Sequence, residues 1–357
     1  MEQRSHFSIF EANSIFLILA GIFLTVGAYF QSKEVLSGLL ITEYGIIFVP
    51  ILLYALVTKK DLRGVFRVKK IPLKQCLKIV AIAILLLPTV AIVNMIAILL
   101  IELFSDAIVL DIPTATNGVE YLGLMFIISI TAGICEETFF RGMVLDAYET
   151  ELGRKWGAIF SGFLFAIFHF NPQNFFGPLV LGIMFSYLVQ LTGSIFAGIL
   201  AHATNNGIAV SLGFWANLVS DEADMMASGG QLYDSIGLLI GMIVGYGVLA
   251  LGFAIVIKGL LKSLRKDYAT FEIGDSIEVN TKRYDIIDME AEKLIIKAEN
   301  SEELLTTDLE RLSKVGISHE YKLWDKRPLK LPIGAMVPVM IAAVAYGYIF
   351  YLAYLRA

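Results

Sequence analysis

The 357-residue chain is 57% hydrophobic and only 17% charged, with a mean hydropathy of +0.72. A soluble protein of that make-up would have no polar coat, which excludes the water-soluble classes and leaves a polytopic membrane protein. The formal net charge of −5 excludes nothing by itself, because the placement of charge decides membrane topology.

Runs of about 17–25 apolar residues read as membrane spans. They are predicted at 14–31, 38–57, 79–103, 119–137, 156–170, 175–191, 194–213, 232–257 and 332–355. The first run, Ser14–Phe30, has no basic flank, since Glu2 and Glu11 offset Arg4. It reads as a retained span rather than a cleaved signal peptide. Between the second and third runs lie Lys59, Lys60, Arg63, Arg67, Lys69, Lys70 and Lys74. Segments 104–118 and 214–231 hold no Lys or Arg and carry Asp106, Asp111, Asp221, Glu222 and Asp224. Positive charge stays inside, so the N-terminus is expected to be cytoplasmic and these acidic loops to face outward. Arg154, Lys155, Lys258, Lys262, Arg265 and Lys266 then fall on the inner side, as they should. Cys76 and Cys135 belong to no CxxC or zinc spacing.

Toward the C-terminus, Gly237, Gly241 and Gly245 set small residues on one helix face, predicting close helix packing within the chain. Residues 263–331 are rich in Lys, Glu and Asp, with strand-like runs at Phe271–Val279 and Leu294–Lys297 and a helical one near Ser301–Leu312. The expected fold is therefore an all-α polytopic bundle of about eight to nine transmembrane helices with a small cytoplasmic α+β insert. Its expected divisions are the N-terminal spans and basic loop (1–118), a core (119–213), a further span (214–262), the polar insert (263–331) and a last span (332–357). That last span carries Pro332 and Pro338, a source of kinking.

Three polar constellations interrupt the apolar runs. An ionisable side chain at bilayer depth costs roughly 2.5–3.5 kcal/mol on insertion scales, so it tends to mark function. In Glu136-Glu137-Thr138-Phe139-Phe140-Arg141, Glu137 and Arg141 are i,i+4 neighbours able to pair, while Glu136 is rotated by about 100° and escapes that pairing. A carboxylate without a counter-ion, beside a second one, suits a general base. Glu137 and Arg141 would then orient it; a solvated helix end is the plainer reading. His169 follows Phe165 by one turn and precedes Asn171-Pro172, placing it near a helix break. Taken alone, such a histidine is more often a structural hydrogen-bonder. His202 and Asn206 share a helix face and can donate two hydrogen bonds to a developing oxyanion, or act as interhelical glue.

In this order the constellations resemble the CPBP family of CAAX-type intramembrane proteases and bacteriocin-processing or immunity (Abi) proteins. Its pattern is EExxxR, FxxxH and HxxxN on neighbouring spans. Glu136-Glu137…Arg141, Phe165…His169 and His202…Asn206 supply all three, over roughly residues 119–213. The resemblance implies proteolysis near or within the membrane with water as nucleophile. Glu136 and His169 would activate that water, and His202 and Asn206 would stabilise the oxyanion. Members are commonly called metalloproteases, and Glu136, His169 and His202 could offer one carboxylate and two imidazoles to zinc. A metal-free glutamate mechanism uses the same atoms, and HExxH is absent. Ser161 and Ser194 lack a serine-protease setting, and Gly274-Asp275 lies in the polar insert rather than in a span.

The expected partners are a peptide or protein substrate at the membrane and the lipid bilayer, with no nucleic acid; oligomeric state is left open. The expected location is the plasma membrane. Alternatives are a non-catalytic immunity or scaffold protein and a proton-coupled transporter, the latter disfavoured by the lack of an obvious inverted repeat. One tension stands: the acidic motif falls at the inner end of its span, whereas His169 falls about 20 Å from Trp156, near the outer end of the next. A short helix over 142–155 dipping into the membrane is expected to reconcile them, beside a water-filled cavity open to the cytoplasmic half.

Overall fold

The computed structural model describes residues 6–102, 113–219, 236–268, 276–279, 282–290, 293–298, 304–308, 318–320 and 329–352. The acidic residues Asp106, Asp111, Asp221, Glu222 and Asp224 lie outside these, as do parts of the expected 271–279 strand and 301–312 helix. The protein is an integral, multi-pass, mainly helical membrane protein. Its helices are α1 (Ile9–Lys33), α2 (Val35–Val57), α3 (Leu73–Glu102), α4 (Gly118–Leu152), α5 (Arg154–Phe168), α6 (Phe176–Thr192), α7 (Ile195–Val219) and α8 (Ile236–Tyr268). Strands β1 (Ser276–Val279), β2 (Lys282–Glu290), β3 (Lys293–Ala298), β4 (Leu304–Asp308) and β5 (Ser318–Glu320) follow, and α9 (Ile333–Phe350) ends the described chain. Seven of the helices are long and apolar enough to cross a bilayer. The exceptions, α5 and α6, pack against one another as a hairpin, with most of α6 buried.

Helix ends follow local chemistry. Ser8 and Glu11 form a reciprocal capping box at the start of α1. Asn117 accepts from the amides of Val119 and Glu120 to open α4, and Glu34 does the same for Leu36 and Ser37 at α2. Gly153 and Gly193 adopt positive φ and let the chain turn from α4 into α5 and from α6 into α7.

The largest departure from expectation is α4. It does not stop near 137, and no separate helix over 142–155 dips into the membrane; one helix of 35 residues runs from Gly118 to Leu152. Its turns widen into π-type geometry over Met125–Thr131 and Thr138–Val144, on either side of Ala132–Glu137. Such widening is frequent at functional sites. The last turns look like loop in sequence because they are acidic, yet the acids have fixed partners. Asp146 accepts from Phe7 N (3.0 Å) and meets His6 Nδ1 (2.8 Å), Glu151 accepts from Ile9 N (2.8 Å), and Glu149 pairs with Arg67 (2.7 Å).

α7 lies along the middle of α4, α2 touches α4 at Ala132–Glu137, and α3 holds α6, α7 and α8. α9 packs on α1, where Asn13 Nδ2 donates to the carbonyl of Ala335 (2.8 Å) and Tyr148 donates to Asn13 Oδ1 (2.9 Å). Phe16, Phe139, Phe140, Phe165 and Phe168 form a buried aromatic cluster behind the acidic motif. Among the described residues Gly241 and Gly245 have open space where a side chain would stand, so the small-residue face of α8 is not the intramolecular contact expected of it.

The polar insert is an antiparallel sheet of order β4-β3-β2-β1-β5, with Ile286 paired to Ile296 at its centre. Residues 304–308, expected to be helical, are a strand paired with β3. Leu304 and Leu305, followed by two β-branched threonines, suit a strand better than the acidic flanks suggest.

Candidate active site

Successive residues on a helix point about 100° apart, and Glu136 and Glu137 exploit this to face different neighbours. Glu137 Oε1 accepts from Arg141 Nη1 at 2.8 Å, one turn along α4, and meets His202 Nδ1 of α7 at 3.0 Å. Arg141 Nη2 donates to the carbonyl of Gly182 on α6 at 3.0 Å. Glu137 and Arg141 are both wholly buried. Burying two charges is unfavourable unless they are paired and hydrogen-bonded, and here they are. The guanidinium also lies over the Phe165 ring at 4.5 Å and the Phe185 ring at 5.4 Å, so its open faces meet π-electrons rather than lipid. Gly198 makes the approach of α7 possible: a Cβ there would collide with Glu137 Oε2.

His202 is clamped between these groups. Its ring stacks on Phe185 (5.5 Å) and meets the edge of Phe165 (5.6 Å), and Nδ1 is taken by Glu137. Nε2 faces Glu136 Oε2 at 3.9 Å. That is too long for a hydrogen bond but short enough for one water to contact both.

His169 forms the C-cap of α5. Its Nδ1 lies 2.8 Å from the carbonyl oxygen of Phe165, which can only accept. The proton therefore sits on Nδ1, and Nε2 is left with a free lone pair. Phe165 packs edge-on against this ring at 4.8 Å, as its spacing predicts. His169 is within electrostatic range of Glu136, His202 and Arg141.

Asn206 lies one turn beyond His202. Its Nδ2 donates to the Ile128 carbonyl (2.9 Å), while Ser129 Oγ donates back to the Ala203 carbonyl (2.7 Å). α4 and α7 are thus cross-linked beside the site. Asn205 Nδ2 donates to Asn206 Oδ1 at 3.2 Å and steadies that amide.

The acidic motif is therefore not a solvated helix end: Glu137 and Arg141 are wholly buried mid-helix, and Glu136 is largely so. Glu136, Glu137, Arg141 and His202 form one connected group, and His169 stands within reach of it. Asn206 shares the His202 face but is engaged with α4. Sequence reasoning missed Glu43 of α2, which is buried on the Ile41–Phe48 stretch that packs against Ala132–Glu137 and interacts electrostatically with Glu136. The signal was present, since Glu43 is an acid inside an apolar run. It belongs to no motif, and its partner is far away in sequence.

Zinc was one expectation for Glu136, His169 and His202. The hydrogen-bonded Nδ1 atoms of both histidines would suit ligation through Nε2. Among the described residues, however, no three His, Cys, Asp or Glu side chains converge as a metal site requires.

No curated protein matches the chain. Residues 118–208 match the family described as type II CAAX prenyl endopeptidase Rce1-like. The span agrees closely with the stretch on which the three motifs fall, and the segment that builds most of this site is similar to the CAAX-protease family.

Proposed function

We propose that the protein is an intramembrane endopeptidase of the CAAX-protease-like class, using water activated by Glu136 and His169. The observation that carries this reading is the relay Arg141–Glu137–His202, which holds His202 Nε2 3.9 Å from Glu136 Oε2. Glu136, which pairs with no arginine among the described residues, takes a proton from the water as the water oxygen attacks the scissile carbonyl carbon. His169 Nε2 accepts a hydrogen bond from the same water and aims it. The developing oxyanion is met by the second N–H of the Asn206 amide and by His202 Nε2 when protonated. As the C–N bond breaks, Glu136 returns its proton to the leaving amine. Glu137 and Arg141 touch no reacting atom; they fix the His202 ring.

The family description favours substrates ending in a prenylated cysteine followed by three residues. The basic 59–78 stretch favours a cytoplasmic N-terminus, and the plasma membrane is the location proposed.

The test is cleavage of a fluorogenic prenylated CaaX peptide by detergent-purified protein. Glu136→Gln and His169→Ala are expected to lower turnover by about 10²–10⁴-fold, with unchanged yield and thermal midpoint. Chelator is expected to leave the wild-type rate intact. Normal turnover in purified Glu136→Gln protein overturns the assignment. Loss of folding in both variants, with no cleavage by wild type, points instead to a scaffold with polar joints.

A further inference from the structure

Over Ile79–Ile101 of α3 the only hydroxyl or amide side chains are those of Thr89 and Asn94. Asn94 reaches across to the reversal between α5 and α6, the turn that follows His169. Its Nδ2 donates to Asn174 Oδ1 at 2.8 Å, and its Oδ1 accepts from Gly177 N at 2.8 Å. The first N–H groups of a helix need outside partners, and Phe175 at the N-cap of α6 offers no side-chain hydrogen bond. Asn94 supplies that cap from another helix. A Cβ at Gly177 would collide with the Asn94 amide, so the glycine lets the two come together.

The turn needs holding. Phe170 stands at φ +47°, a left-handed conformation that a bulky residue seldom adopts and that persists only where its surroundings impose it. Its ring stacks on Phe23 of α1 at 5.8 Å, while Asn94 ties down the residues that follow. Immediately before it, His169 closes α5, and Phe165 lies edge-on between the rings of His169 (4.8 Å) and His202 (5.6 Å). Hydrogen bonds between helices add little to stability in a bilayer. What this one fixes is placement, and a shift of about 1 Å at an active site can cost about 10²-fold in rate.

We propose that Asn94 is a positioning residue for His169: by locking the α5–α6 turn it sets where the imidazole presents Nε2 to the attacking water. The role rests on the endopeptidase reading above, and it extends the support of the site to a helix outside the 118–208 match.

The test is kinetics on the prenylated CaaX peptide beside thermal unfolding, using detergent-purified Asn94→Ala, Asn174→Ala and the double variant. Asn94→Ala removes both hydrogen bonds and adds no bulk where Gly177 approaches. It is expected to lower kcat by about 10–10²-fold, with KM within about twofold and the midpoint within about 4 °C of wild type. Asn174→Ala is expected to lower kcat as well, and the double variant to stay within about twofold of Asn94→Ala, because the two side chains act through one contact. Wild-type kcat in Asn94→Ala overturns the role. So does a kcat that returns to the wild-type value once Asn94→Ala is assayed well below a lowered midpoint, which marks an amide that only stabilises. Losses of kcat that multiply in the double variant overturn the contact as their carrier. A wild type that cleaves no peptide defeats the endopeptidase reading and the role with it, whereas an active wild type with an equally active Asn94→Ala defeats the role alone.

Discussion

Arg141 shows how much a single side chain does here. Its two terminal nitrogens serve different helices: Nη1 holds Glu137 on α4 and Nη2 holds the Gly182 carbonyl on α6. A lysine presents one compact charge and cannot span both acceptors in that planar arrangement, nor stack on Phe165 in the same way. Arg141→Lys is therefore expected to lower turnover at least about tenfold and to lower the thermal midpoint in detergent, with a larger loss for Arg141→Met. Removing one partner of a buried pair costs roughly 3–5 kcal/mol. Thermal unfolding and steady-state kinetics on the two variants check this; wild-type values in Arg141→Met would show the pair to be dispensable. The Glu137–Arg141 pairing was legible in sequence because one helical turn sets it. The partnerships of Glu43 and Gly182 were not, because they depend on which helices become neighbours.

Among elements, α7 depends on a missing side chain. Gly198→Leu is expected to push α7 away from α4, break the His202–Glu137 hydrogen bond and cut turnover at least about tenfold while the protein still inserts. Kinetics beside membrane yield checks this, and full activity would show that the close approach is unnecessary. At the far side of the bundle, Lys78 near the start of α3 pairs with Asp267, which lies beyond the apolar stretch of α8, and its hydrogen bond holds that carboxyl below the usual aspartate range. A carboxylate lowered in the folded state contributes stability above its unfolded pKa and loses it as pH falls through the folded one. Lys78→Met should therefore lower the thermal midpoint at neutral pH and converge on wild type in acid; a constant gap across pH would contradict the pair's contribution. Element limits were legible where Asn117, Gly153 and Gly193 punctuate the chain. The far half of α4 was hidden because Asp146, Glu149 and Glu151 read as solvated until Phe7 N, Arg67 and Ile9 N are found beside them.

At the scale of the whole molecule, side chains from α2, α4, α5 and α7 meet at one place, with α6 contributing a carbonyl and an aromatic face. Hydropathy revealed that the chain crosses a membrane many times, since every span must hide its own backbone. It could not reveal which two runs would fold back as the short α5–α6 hairpin, because a buried helix and a lipid-facing one are equally apolar. The Arg67–Glu149 pair and the His6–Asp146 contact mark a polar end of the bundle, and Glu136 lies ten residues from Asp146 along α4. At 1.5 Å per residue that is about 15 Å, half of a typical hydrocarbon thickness. An extended strand advances about 3.3 Å per residue. On the proposed endopeptidase reading, a tail threaded inward from that rim would need four or five residues before its carbonyl reached Glu136. The helix would then act as a ruler, sparing bonds that lie nearer the headgroups.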